Sequence, residues 1–257
     1  MFKSLKQQES GYRDYSKYSL SGREWLLTII EGLVLVGVCG YFFYRSLIMT
    51  ILLMPLVFTY IKRKQNSLCE KRKQQLKIQF KEVMNSVLSS VTAGYSLENA
   101  FFEAYLDIAG LFGENSMMAQ ELLLFKRGIR NNQTIEELLS DFGKRSDIED
   151  IRNFAEVLVI GKRSGGRIQE IIQNSVEVIE EKMSVTQEIE TMVSAKRMEL
   201  RVMNVIPFFI IFYVELTSPR FFHILYHNIA GICIMSICLM IYLGAVVLAE
   251  KMVHITV

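Results

Sequence analysis

Apolar residues concentrate in two stretches of this chain, roughly residues 25 to 61 and 202 to 249, and most of the charged residues lie between them. The first stretch opens with Trp25 to Tyr44, about 20 residues, which is the length that an α-helix needs to cross a hydrocarbon core of about 30 Å. After a break, Leu47 to Ile61 adds about 15 residues, which we interpret as a second span extended by snorkelling lysines. The pattern predicts a transmembrane hairpin over residues 25–61.

The second apolar stretch also divides in two. It runs from Val202 to Leu216, breaks between Thr217 and Asn228, and resumes from Ile229 to Ala249. Pro219 lies in the break and disfavours helical geometry at the residue before it. Residues 202–257 are therefore predicted to form a second transmembrane hairpin with a short tail, which gives four spans.

Basic residues flank both hairpins. Lys62, Arg63 and Lys64 follow the first hairpin, and Arg201 precedes the second. Because an excess of Lys and Arg marks cytoplasmic loops, we expect both termini inside the cell. The predicted protein is a multi-pass protein of the inner (cytoplasmic) membrane, with a cytoplasmic arm over residues 1–24 and a cytoplasmic domain over residues 62–201.

The middle stretch has the pattern of short amphipathic helices. No Pro occurs between Gln74 and Arg201, and the apolar positions from Leu76 onward recur at helical spacing until Gly94. N-cap residues at Ser96 and Thr134, together with capping boxes that pair Thr134 with Glu137 and Ser146 with Glu149, divide the chain after Gly94 into short segments. The predicted helices cover residues 97–110, 117–128, 135–143 and 148–163. A further long helix runs from Arg167 into the third span, so the fold class is all-α, with a helical bundle between the two hairpins.

Charge and motifs then exclude several function classes. A net charge of +2 gives no case for nucleic acid, and the four cysteines lack the spacing of a zinc site. The sequence has no P-loop, no HExxH and no GxSxG motif. We therefore expect no catalytic residues, no cofactor and no metal, and a protein that is not an enzyme.

Two acidic residues lie within the apolar runs. Glu31 and Glu215 sit near the ends of their runs, and a carboxylate inside a membrane span is a candidate functional residue. Interfacial placement or contact with a neighbouring helix accounts for both. The alternative is a small membrane transporter or channel subunit that uses Glu31 and Glu215 in its pathway.

Several stretches resemble the type II secretion system protein F domain family, in the single-copy form of the TadB and TadC proteins of Flp/Tad pilus assembly. They are Phe80 to Ala100, ending in Ala-Gly-Tyr-Ser-Leu-Glu-Asn-Ala, then Thr134 to Leu139, then Phe154 to Ile172, and they continue through Val193-Ser194-Ala195 to Pro207, Pro219 and Gly231. The resemblance covers about residues 62 to 250. It departs from the family at Ser194, where Thr is frequent, and before Thr134, where a glycine is expected.

The resemblance implies a platform protein with several partners. These are a cytoplasmic secretion ATPase, a pilin or pseudopilin, an identical or paralogous platform subunit, and the lipid bilayer. The residues predicted at a partner interface are Gly94, Tyr95, Ser96, Arg163, Gly165, Gly166, Lys62, Arg63 and Lys64. For the glycine turn after Arg163, an anion site and a plain inter-helix turn both remain possible, and the basic linker also fits a lipid-facing cluster that sets topology.

Overall fold

The computed structural model describes residues 15, 22–44, 50–51, 53–163, 167–218 and 229–253. Over these residues the fold is all-α, as predicted. The helices are α1 (Gly22–Phe43), α2 (Pro55–Thr92), α3 (Leu97–Phe112), α4 (Met117–Arg130), α5 (Ile135–Ser146), α6 (Glu149–Arg163), α7 (Ile168–Thr217) and α8 (Ile229–Val253). The chain divides into two compact units. The bundle unit comprises Met1–Ser19 and Gln65–Met183, and the membrane unit comprises Leu20–Lys64 and Ser184–Val257.

Three helices in the described part of the chain are long and apolar enough to cross a membrane: α1, α7 through its apolar part, and Gly231–Met252 within α8. These three candidate spans indicate a multi-pass membrane protein. The predicted span Leu47–Ile61 is not among the three, because α2 begins at Pro55 and reaches the basic residues after Ile61 within two turns. Residues 45–49 and 52 of that predicted span lie outside the described residues.

Aromatic side chains and hydrogen bonds join the candidate spans in the membrane unit. Phe42 and Phe208 meet edge to face at 5.8 Å, and Phe208 meets Tyr242 in the same way at 5.7 Å. The Tyr242 hydroxyl donates a 2.8 Å hydrogen bond to the carbonyl of Asn204. Polar groups inside the hydrocarbon core need hydrogen-bond partners within the protein, and this bond gives the Tyr242 hydroxyl its partner. Because Tyr242 and Asn204 belong to different helices, the bond also holds α8 against α7.

The bundle unit encloses a core built from one apolar face of each helix. The stripe predicted on α2 is buried, with Leu76, Phe80, Val83, Met84 and Val87 at 1% exposure or less. The first turns of α7 add Ile172, Val176 and Ile179, while the central ring of Phe142 contacts the rings of Phe80 and Phe125 at 6.3 Å and 6.0 Å. Each short helix is thus stabilised by burial of its apolar stripe rather than by its own propensity.

Local capping signals place the helix ends well. The four short helices agree with the prediction to within three residues at each end, and the Thr134–Glu137 capping box is confirmed, with hydrogen bonds of 3.2 Å and 3.3 Å. The second predicted box is wrong. Ser146 is the last residue of α5, fully buried, and its hydroxyl donates to the Gly143 carbonyl instead of capping α6.

Candidate partner interface

The turn between α2 and α3 contains the first group of predicted interface residues. Gly94 has a φ of +93°, its N–H donates to the Val91 carbonyl, and the N–H of Tyr95 donates to the Ser90 carbonyl, each over 3.0 Å. This is the Schellman arrangement, which needs a residue that tolerates left-handed backbone at this position. Ser96 then begins α3 by accepting a hydrogen bond from the N–H of Asn99. The turn leaves the side chain of Tyr95 51% exposed.

Lys162 joins the ends of three helices at the end of the bundle that carries the Gly94–Ser96 turn. Its Nζ lies 2.5 Å from Oε1 of Glu136 and 3.8 Å from Oε1 of Glu98. Lys162 belongs to the last turn of α6, whereas the two glutamates belong to the first turns of α5 and α3. Acids at helix N-termini and bases at C-termini are favoured by the helix dipole. Through this cluster the structure brings Arg163 to the same end of the bundle as the Gly94–Ser96 turn, while Gly165 and Gly166 lie outside the described residues.

A shallow groove of about 640 Å³ runs beside the Lys162 cluster. Its lining carries both signs of charge: Thr134, Glu136, Glu137, Ser140, Asp141, Lys144, Val159, Lys162 and Arg163. Partial burial of Glu136 is the largest single influence and opposes its ionisation, but the hydrogen bond and charge of Lys162, with hydrogen bonds from the backbone and from Thr134, together lower the pKa of Glu136. An ionised, partly buried carboxylate in a groove with three exposed cations suits this end of the bundle to recognition of a polar partner surface.

No family model, curated protein or solved structure matches this chain. The resemblance to the type II secretion system protein F family stays a prediction from the sequence.

The second group of predicted interface residues belongs to the membrane unit, not to the bundle unit. Lys62 lies over the ring of Phe58, 4.9 Å from its centroid. Arg63 Nη1 is 2.7 Å from a carboxylate oxygen of Glu250 on α8, and Lys64 Nζ is 3.1 Å from Glu31 on α1. The three cations are thus engaged within the membrane unit, which agrees with a cluster that marks the membrane boundary.

The two acids that suggested a pathway occupy different settings. Glu31 accepts a 3.1 Å hydrogen bond from the Tyr60 hydroxyl as well as pairing with Lys64. Glu215 is half-buried near the end of α7, two residues before Thr217. The described contacts of Glu31 join α1 to α2, so they give this carboxylate a structural role.

Sequence reasoning missed a buried polar cluster in the bundle unit. The Tyr15 hydroxyl donates a 2.9 Å hydrogen bond to Oε1 of Glu121, and Arg145 binds both carboxylate oxygens of Glu121 at 2.9 Å and 2.8 Å. Glu121 falls on the apolar stripe of α4, with Leu122 and Phe125. An acid on an apolar face was the available signal, because such an acid must find partners in the core.

Backbone and ring contacts hold Tyr15 in this cluster. Its N–H donates to the carbonyl of Arg145 at 3.0 Å, and the guanidinium carbon of Arg72 lies 5.0 Å from the centroid of its ring. Burial lowers the pKa of Arg145, but its hydrogen bonds to Glu121 and Asp141 outweigh burial and raise the pKa overall. Arg145 is therefore a permanent cation in this cluster.

A row of lysines on α2 forms the second missed cluster. Lys73 lies 2.9 Å from Asp147, and Lys77 lies 2.7 Å from Asp150, which also binds Lys182 of α7 at 2.8 Å. Burial raises the pKa of Asp150. The hydrogen bonds from Lys182 and Lys77, with the charges of both lysines, together outweigh burial, so the pKa of Asp150 is lowered overall. Asp150 thus links α6 to both long helices of the bundle unit.

Metal-ligand side chains do not converge in the described part of the chain, where no group of three His, Cys, Asp or Glu residues could hold an ion. The three histidines of the sequence lie outside that part.

Proposed function

We propose that this chain is a membrane platform protein of a type II secretion or Flp/Tad pilus assembly system, which couples a cytoplasmic secretion ATPase to pilin assembly or protein export. One observation carries the proposal beyond the sequence resemblance. Glu98, Glu136 and Lys162 come from the three separate stretches of the bundle that carry the resemblance, and they form one ion-pair cluster. If the three stretches together form one binding surface, their residues are expected to lie close together in the folded protein, as these three do.

The course of α7 supports a relay role. Its first turns bury Ile172, Val176 and Ile179 in the bundle core, and the same uninterrupted helix ends in an apolar stretch long enough to cross a membrane. A displacement of the bundle by a motor therefore has a covalent path into the membrane unit. In this proposal the pilin or exported protein is handled at the bilayer, and an identical or paralogous subunit completes the platform.

The proposed location is the cytoplasmic membrane, with both termini and the bundle inside the cell. The pairs Lys64–Glu31 and Arg63–Glu250 support the orientation, because they anchor a basic cluster beside two candidate spans, and such clusters remain on the cytoplasmic side.

Co-purification of the full-length chain with the secretion ATPase of the same cell tests the proposal, alongside pilus assembly and secretion in a deletion strain. We expect Lys162→Glu, which places a third acid between Glu98 and Glu136, to abolish ATPase binding and pilus assembly or secretion. Arg127→Glu is the matched control, since Arg127 is an exposed cation on α4, a helix that contributes no residue to the Lys162 cluster. Normal pilus assembly and secretion without the gene would refute the proposal.

A further inference from the structure

A groove between α2 and α3 combines exposed apolar side chains with acids. We call it the acidic apolar face, and its lining is Glu82, Asn85, Ser86, Ser89, Leu106, Asp107, Gly110 and Leu111. Leu106 is 63% exposed and Leu111 is 68% exposed, and the neighbouring Phe112 is 39% exposed. Three large apolar side chains within seven residues of one helix are unusual for a surface in water and mark an interaction site.

Charge on this face is of one sign. The sequence has neither Lys nor Arg from Glu82 to Phe125. The acids of that stretch are Glu82, Glu98, Glu103, Asp107, Glu114 and Glu121. Lys81, which directly precedes the stretch, is paired with Glu82 and with Glu180 of α7. The lining of the face therefore combines Leu106 and Leu111 with the carboxylates of Glu82 and Asp107, while Lys126 of α4 lies over the ring of Phe102, one turn before Leu106.

This combination limits what the face can bind. An anionic lipid surface would repel Glu103, Asp107 and Glu114. A second copy of the same face would bring carboxylates together, and like charges across an interface cost several kcal/mol. A groove between two helices with apolar positions along it fits an amphipathic helix, and carboxylates along the rim fit a basic one.

We infer that the acidic apolar face binds a basic amphipathic helix of a separate protein. Its apolar side chains pack against Leu106 and Leu111, and its Lys and Arg side chains approach Glu82 and Asp107. Asp107 is held for this contact by a 2.5 Å hydrogen bond from the Ser86 hydroxyl. The inference concerns the chemistry of the partner and does not depend on the proposed role in secretion.

A photo-crosslinking amino acid at position 111 of the full-length chain, in its native membrane, tests the inference. The cross-linked segment is identified by mass spectrometry. We expect a segment of another protein with net positive charge and apolar residues spaced three and four apart. We also expect Leu106→Lys to lower its yield about tenfold, and raised ionic strength to lower it as well, because exposed charges are screened. Ile160→Lys is the matched control, since Ile160 is 66% exposed on α6 and its substitution should leave the yield unchanged.

Any other dominant product overturns the inference. Lipid adducts would show a membrane contact, and segments of this chain would show a contact between copies. A neutral or acidic partner segment, a yield no higher than from a crosslinker at position 160, or equal yields from Leu106→Lys and Ile160→Lys would each refute a basic helix on this face.

Discussion

The hydroxyl of Tyr15 and Oε1 of Glu121 lie 2.9 Å apart although 106 positions separate them in the sequence. Glu121 is 1% exposed, and Arg145 accounts for its remaining hydrogen bonds. A buried carboxylate is tolerated only when both oxygens have partners. Tyr15, which lies in the stretch predicted to be a cytoplasmic arm, is therefore part of the bundle core.

Removal of the Tyr15 hydroxyl should weaken the bundle. We expect Tyr15→Phe to lower the free energy of unfolding by about 2 kcal/mol, the size of a hydrogen bond to a charged group. Thermal unfolding of the detergent-solubilised protein, followed by circular dichroism, measures the change. Tyr95→Phe is the control, because the side chain of Tyr95 is half exposed in its turn. Equal midpoints for the two variants would show that the Tyr15 hydrogen bond contributes nothing.

Loss of Arg145 should be more damaging than loss of both charges. Arg145→Met leaves Glu121 buried without its counter-charge, which typically costs about 3–5 kcal/mol. The double variant Glu121→Leu with Arg145→Met removes the charge as well and is expected to be more stable than the single variant. The same unfolding assay compares them. If the double variant is no more stable than Arg145→Met, the cost comes from lost packing of the arginine and not from an unpaired carboxylate.

Acid should destabilise the bundle through Asp150. The folded-state pKa of Asp150 lies below the unfolded-state value of about 3.9, so the unfolded chain binds more protons as the pH falls. The stabilisation is fully present above about pH 5 and is lost as the pH drops toward the folded-state pKa. Asp150→Asn should lower the unfolding midpoint at neutral pH and flatten its decline in acid. Glu156→Gln, an exposed change on the same helix, is the control, and a decline as steep in Asp150→Asn as in the unmodified protein would contradict the prediction.

Substitution by alanine at two glycines with open surroundings should change the stability of the protein in opposite directions. A Cβ at Gly94 or at Gly110 would meet no atom within 4 Å, but only Gly94 has a left-handed backbone. Gly94→Ala is expected to destabilise by about 1–2 kcal/mol. Gly110→Ala, inside α3, is expected to stabilise by about 0.5–1 kcal/mol. Chemical denaturation of both variants measures the change in the free energy of unfolding. A stabilising Gly94→Ala would contradict the prediction that the left-handed backbone at position 94 favours glycine.

The features that could be predicted from the sequence are those encoded by neighbouring residues. Thr134 with Glu137 defines the start of α5 within four positions, and the absence of Gly and Pro after Arg167 predicts a long helix there. Ser146 and Glu149 have the same spacing as a capping box. The close packing of α5 and α6 buries Ser146, so this serine ends α5 and does not cap α6. The capping-box spacing alone therefore gives the wrong start for α6.

Only part of the candidate interface could be predicted from the sequence, for the same reason. The turn at Gly94, Tyr95 and Ser96 follows from local turn chemistry, and its place in a partner interface stays a prediction. The ion pairs of Lys162 with Glu98 and Glu136 depend on how three helices pack, and the sequence carries no mark of which charges will meet. Tyr15 was missed because its partner Glu121 lies more than 100 positions away.

The contribution of α7 to the bundle core bears on how the protein is made. Ile172, Val176 and Ile179 are synthesised after every other helix of the bundle, yet they fill its centre together with Leu76 and Phe80 of α2. A ribosome that has produced α1 through α6 has therefore released a membrane helix and a bundle whose core is still open on one side. The bundle closes only when α7 emerges, just before the next apolar segment reaches the insertion machinery. Slow translation at this point would leave the apolar surface of the open bundle exposed to water.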